Sequence, residues 1–122
     1  MMLFTQEKRI RRHARGRAKI EGSEKTPRLS VFKSSNHIYA QLINDQKGAT
    51  IASASERDLK GKKIEAKDMS GKVAIAYEVG KAIALKAKGL KVEKIIFDKS
   101  GYDYHGRIKA LAQGARDGGL VF

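Results

Sequence analysis

The sequence predicts an α+β fold: a single mixed sheet of about four strands, with two helices on one face and a basic N-terminal arm. Three strands form an antiparallel meander and the fourth lies parallel. Three observations carry this. Two alternating segments, Arg28–Lys33 and His37–Ile43, flank the turn residues Ser34–Ser35–Asn36. Two segments of helical periodicity then bracket one short apolar run. A strand entered through a helical crossover pairs parallel with one of the earlier strands.

The elements follow in order. From Glu7 to Lys19 there are seven Lys/Arg, and helix is expected over Gln6–Arg15 because breakers are few before Gly16. Such a run repels itself and commonly folds on a nucleic-acid partner. Residues 1–25 are therefore read as an arm and residues 26–122 as one domain, entered at the only proline, Pro27. After the hairpin, Gly48–Ser55 reads as a third strand, and the polar stretch 56–68 reads as a loop. Ser70 can cap a helix running through Lys88. Its expected buried stripe is Val73, Ala76, Tyr77, Gly80, Ile83, Ala84 and Ala87, with the small residues suggesting close approach to the sheet. Val92–Asp98 reads as a buried strand. A last helix spans Gly106–Asp117, with Ile108, Leu111, Ala112 and Ala115 inward and Gly118–Gly119 ending it. Gly114 inside that helix is expected to cost about 1 kcal/mol relative to alanine.

Charge narrows the function. Twenty-six Lys+Arg face 13 Asp+Glu in 122 residues, a net +13, which points to a polyanionic partner. A membrane surface fits less well, because the basic segments lack a bulky apolar face and no apolar run approaches the roughly 18 residues of a spanning helix. Nothing at the N-terminus resembles a secretory signal. No cysteine is present, so disulfides and thiolate metal sites are excluded and a reducing, cytoplasmic setting is expected.

Period-two alternation sorts the hairpin's side chains. Leu29, Val31, Ile38, Ala40 and Leu42 form the core face. Arg28, Ser30, Phe32, His37, Tyr39 and Gln41 fall on the other. Rings between cations and hydroxyls suit RNA, whose unpaired bases stack on aromatics while arginine and lysine meet phosphate. The structural alternative is a cross-strand ring pair that stabilises the sheet. The third strand can present either Ile51, Ser53 and Ser55 or Thr50, Ala52 and Ala54. The arm adds Lys8, Arg9, Arg11, Arg12, His13, Arg15, Arg17 and Lys19, mostly arginines, whose planar fork suits phosphate.

The loop "GYDYHGR" admits two readings. Asp98, Asp103 and His105 could act as acid and base in a small nucleic-acid hydrolase, but no GxSxG or Walker-type motif accompanies them. As a helix entrance, its exposed N–H groups and Arg107 favour phosphate, while Tyr102 and Tyr104 divide between packing and RNA. A generic basic architectural protein on DNA is a third reading.

"PRLSVFKSSNHIYAQLIND", "GATIASAS" and "IIFDKSGYDYHGRIKALAQGARDGGLVF" together closely resemble ribosomal protein eighteen of the bacterial large subunit, over essentially the whole chain. The resemblance implies a protein that is a monomer when free, catalyses nothing and needs no cofactor. It would bind 5S rRNA and parts of 23S rRNA in the central protuberance, with ribosomal protein five as neighbour and no membrane. By matching position, the arm arginines, Arg28, Lys33, Ser34, Asn36, His37, Tyr39 and the segment Tyr102–Arg107, including Tyr104, His105 and Gly106, fall where the family touches RNA. Lys99–Ser100 stand where Arg-Gly or Arg-Asn is expected. Lys99 keeps the charge without the fork, and serine tolerates positive φ less well. Gly114 stands where alanine is more usual.

Overall fold

Strands β1 (Arg28–Lys33), β2 (Ile38–Asn44) and β3 (Ala49–Ser55) form the expected meander in the computed structural model, which describes residues 8, 10–12, 14, 21–59 and 71–122. A 3₁₀ turn, Glu56–Leu59, follows β3. Helix α1 (Gly71–Gly89), strand β4 (Ile96–Asp98) and helix α2 (Arg107–Asp117) complete the fold. The sheet order is β3-β2-β1-β4, with β4 parallel to β1. Lys8, Ile10, Arg11, Arg12 and Ala14 are helical, while Ser70 and the rest of the 60–70 segment lie outside the described residues.

Strand β4 is shorter than the expected Val92–Asp98. Ile96 donates its N–H to the Pro27 carbonyl, and Pro27 has no N–H with which to carry the ladder further. The preceding residues pair elsewhere: Ile95 N–H reaches Val121 O, and Val121 N–H reaches Glu93 O.

Both helices cover the face that carries Leu29, Val31, Ala40, Leu42 and Ala54, and all join one core with Ile83, Ile108 and Leu111. Each fully buried Leu or Ile there contributes about 1.5–3 kcal/mol. The fully buried residues of α1 are Ala74, Ala76, Val79, Gly80, Ile83, Ala84 and Ala87. Ala74 and Val79 replace Val73 and Tyr77 of the expected stripe, which are half-buried.

The small residues of α1 serve a helix–helix contact as well as the expected approach to the sheet, where α1 packs on β2 and β3. A Cβ on Gly80 would lie 2.1 Å from Leu111 O, and one on Gly114 would lie 2.0 Å from Tyr77 O. The backbones of α1 and α2 therefore touch, and Gly114 is a packing requirement instead of a simple propensity cost. Helix α2 ends as expected. Leu120 N–H bonds Ala115 O and Gly119 N–H bonds Arg116 O, with Gly119 at φ 111°. This is the reciprocal pattern that a glycine after the last turn allows.

Candidate nucleic-acid interface

The face away from the helices is built by the hairpin register. Phe32 pairs with Tyr39 and Ser30 with Gln41 across β1 and β2. Gln41 pairs with Ser53 and Tyr39 with Ser55 across β2 and β3. That register settles the third strand: Ser53 and Ser55 share the open face, while Ala52 and Ala54 oppose Leu42 and Ala40. Phe32 is 55% exposed and Tyr39 40%, with ring centroids 6.0 Å apart. His37 is exposed, 6.4 Å from the Tyr39 ring, with Nδ1 3.4 Å from the Glu56 carboxylate. Ser30, Phe32, Tyr39, Gln41, Ser53 and Ser55 line an open groove of about 400 Å³. Rings at one end and hydroxyl and amide groups along the floor can stack on a base and hydrogen-bond its edge.

The turn between β1 and β2 is tightly organised. Ser34 N–H donates to His37 O at 2.9 Å, and His37 N–H donates to Ser34 Oγ at 3.2 Å. Ser34, Ser35 and Asn36 are exposed. Arg107 reaches the turn from the start of α2, with Nη2 2.8 Å from Ser34 O and Nη1 3.4 Å from His37 O. Lys72, from the start of α1, donates to Ser35 O. No local pattern marks Lys72, because the contact exists only once the helix has docked.

The loop after β4 divides its tyrosines. Tyr102 is half-buried: its hydroxyl donates to Lys33 O at 3.1 Å and accepts from Lys33 N–H at 3.4 Å. The Lys33 ammonium lies 5.2 Å from the Tyr102 ring centroid. Tyr104 is exposed, edge-on to Phe97 at 6.1 Å and bonded by Arg116. Lys99 and His105 are exposed, and Gly106 opens α2 at φ 56°. Ser100 adopts φ 57°, the left-handed backbone that disfavours serine. Its N–H donates to Asp98 Oδ1 at 2.8 Å and its hydroxyl lies 3.3 Å from that of Ser30, contacts that hold it there.

Arg28 corrects the sequence reading. It is 7% exposed, not displayed on the open face. Nε and Nη2 donate to the Asp45 carboxylate at 2.9 and 3.1 Å, and Nη1 donates to Asp98 at 2.6 Å. Burial pulls the Arg28 pKa down, but the hydrogen bonds and charges of Asp45 and Asp98 outweigh it and hold the pKa above its ordinary value. Asp45 also accepts Gly22 N–H at 2.7 Å, so this cluster joins β1, β4 and the chain before Pro27. The same contacts take Asp98 out of the acid–base group, while Asp103 and His105 are exposed. Among the described residues, no three His, Cys, Asp or Glu gather as a metal site.

The described arm residues Lys8, Arg11 and Arg12 are exposed, and Arg12 Nε donates to Gly101 O at 3.0 Å. That bond brings the arm to the loop holding Tyr102. Arg9, His13, Arg15, Arg17 and Lys19 lie outside the described residues.

A basic domain with one sheet face under helices, and the other bearing rings and rows of polar groups, belongs to the class of nucleic-acid-binding modules. The family model for ribosomal L18 of archaea, bacteria, mitochondria and chloroplast matches residues 4–122. The chain is 51% identical to the large ribosomal subunit protein uL18 of Desulforudis audaxviator over 116 residues, 95% of this chain and 94% of that one. It is 49% identical to the protein of the same name from Staphylococcus haemolyticus over 114 residues, covering 93% and 92%. With that of Chloroherpeton thalassium it shares 48% identity over 120 residues, covering 98% and 95%. The chain belongs to the ribosomal L18 family. These relatives are ribosomal proteins, not hydrolases, and the catalytic reading is set aside.

Proposed function

We propose that this chain is a structural constituent of the large subunit of the cytoplasmic ribosome, where it binds 5S rRNA and helps attach it to 23S rRNA in the central protuberance. Ribosomal protein five is the expected neighbour, and the free protein is a monomer. The observation that carries the RNA-binding reading is the helix-free face, where Phe32 and Tyr39 stay exposed beside Ser30, Gln41, Ser53 and Ser55. Family membership supplies the ribosomal context.

The work divides between residues 1–25 as a cationic arm and residues 26–122 as the body. The arm neutralises phosphates. The face stacks on bases, and specificity comes from unpaired loops, bulges or distorted grooves, since the deep major groove of A-form RNA excludes side chains. Lys33, Ser34, Asn36, His37, Lys99, Tyr104 and His105 extend the surface around the hairpin turn and the α2 entrance.

Filter binding of 5S rRNA against duplex DNA at physiological salt tests the reading. RNA should bind more tightly, with affinity falling linearly on a logarithmic salt scale. Replacing Arg9, Arg11, Arg12 and Arg15 with alanine should flatten that slope by about 0.7–0.9 for each phosphate no longer neutralised. Equal affinity for duplex DNA would refute specific RNA binding; an unchanged slope would remove the arm from the interface.

A further inference from the structure

We infer that Arg107 is a positioning residue that holds the β1–β2 turn in its RNA-binding shape, with Lys72 as a second support. This rests on the RNA-binding reading above and departs from it on one point: Arg107 acts through the turn, not on phosphate.

The location of the two cations motivates the inference. Arg107 is the first residue of α2 and Lys72 the second of α1. The start of a helix carries partial positive charge, so a cation there is disfavoured and an acid favoured. Neither helix has an acidic residue in its first turn. The cations are therefore placed against local preference, and the contacts they make are with the turn. Arg107 covers the carbonyls of Ser34 and His37, and Lys72 covers that of Ser35.

The Arg107 guanidinium bonds the carbonyls of both Ser34 and His37, fixing the turn from both ends before RNA arrives. A loop ordered in advance does not lose that freedom on binding. The sheet face leads directly into the turn through Phe32, Lys33 and Tyr39, so the orientation of Asn36 and His37 relative to the rings depends on the clamp.

The test compares 5S rRNA binding by wild type, Arg107→Ala, Arg107→Lys and Lys72→Ala across a salt series, with circular dichroism establishing that each variant is folded at the assay temperature. Arg107→Ala should bind about tenfold more weakly, the scale set by re-ordering one or two side chains and their turn, with an unaltered salt slope. Arg107→Lys, which keeps the charge but not the fork, should retain most of that defect. Lys72→Ala should weaken binding by a smaller factor. Asn36→Ala should cost less in the Arg107→Ala background than in wild type, because a misplaced turn no longer delivers that side chain. In the free protein, Arg107→Ala should lower hydrogen-exchange protection of the Ser34 amide.

A slope reduced by about 0.7–0.9 with near-normal binding by Arg107→Lys would make Arg107 a phosphate contact and overturn the inference. Unchanged affinity in Arg107→Ala, with only the melting temperature lowered, would overturn it equally. In both cases wild-type binding persists and the proposed function stands. Absence of wild-type binding would instead defeat the proposed function itself.

Discussion

Replacing Gly114 with alanine tests the helix contact most directly. The added Cβ would sit 2.0 Å from Tyr77 O, 2.9 Å from Tyr77 C and 3.2 Å from Lys81 N. Contacts below about 3 Å do not survive, so α2 must move away from α1 by roughly 1 Å at that point. The obstacle is backbone, which cannot rotate aside as a side chain would. Overpacking of a close-packed site costs about 1–3 kcal/mol, and a backbone obstacle places this case at the upper end. Alanine regains about 1 kcal/mol of helix propensity. The net expectation is a loss of about 2 kcal/mol, or a Tm drop of about 8 °C for a domain of this size. Gly89→Ala is the control: nothing lies within 4 Å of its added Cβ, so it should be neutral or stabilising. Thermal and urea melts followed by far-UV circular dichroism measure both. A Gly114→Ala protein as stable as wild type, or more so, would refute the backbone contact and restore the propensity argument.

Arg28→Ala removes the cation between Asp45 and Asp98 and should cost about 3–5 kcal/mol in urea denaturation, the usual penalty for breaking a buried pair. A loss under about 1 kcal/mol with weakened RNA binding would return Arg28 to the interface. The Tyr77 hydroxyl donates to Asp117, and that hydrogen bond pushes the Tyr77 pKa up to about 12 from 10.0. Because the folded value is the higher one, this contribution to stability is intact below pH 10 and fades as pH rises through about 12. In an ultraviolet titration of the four tyrosines, one should ionise late and that late step should vanish in Asp117→Ala, which removes the acceptor; a profile identical to wild type would deny the bond. Tyr39→Ala should weaken 5S rRNA binding by about 1–3 kcal/mol, and an unaltered dissociation constant would assign the ring to sheet stability alone.

The hairpin, both helices and the closing Gly118–Gly119 were legible because each depends on local periodicity or local backbone chemistry. What depended on distant partners was not. Arg28 alternates with the open-face residues, yet the carboxylates that claim it lie 17 and 70 residues away. Gly114 reads as a helix defect until α1 is seen resting on it. Strand β4 reads as seven residues because Val92 and the apolar Ile95–Phe97 look like one buried segment, but its ladder stops at the proline of another segment. In the candidate site, Phe32, His37, Tyr39 and Gln41 were found by alternation alone. Ser53 and Ser55 needed the register with β2, and Lys72 needed the docked helix. Ser100 is the converse case, where the strain was foreseen from residue type and the hydrogen bonds that hold it were not.

The Arg28 cluster alters the electrostatics that an RNA encounters. It sequesters one formal positive and two formal negative charges, a net −1, so the residues outside it carry +14 within a total of +13. The interior hides acidity instead of basicity. The long-range field stays that of the whole +13, while the surface an RNA touches is left richer in cations, and encounter should accelerate as ionic strength falls.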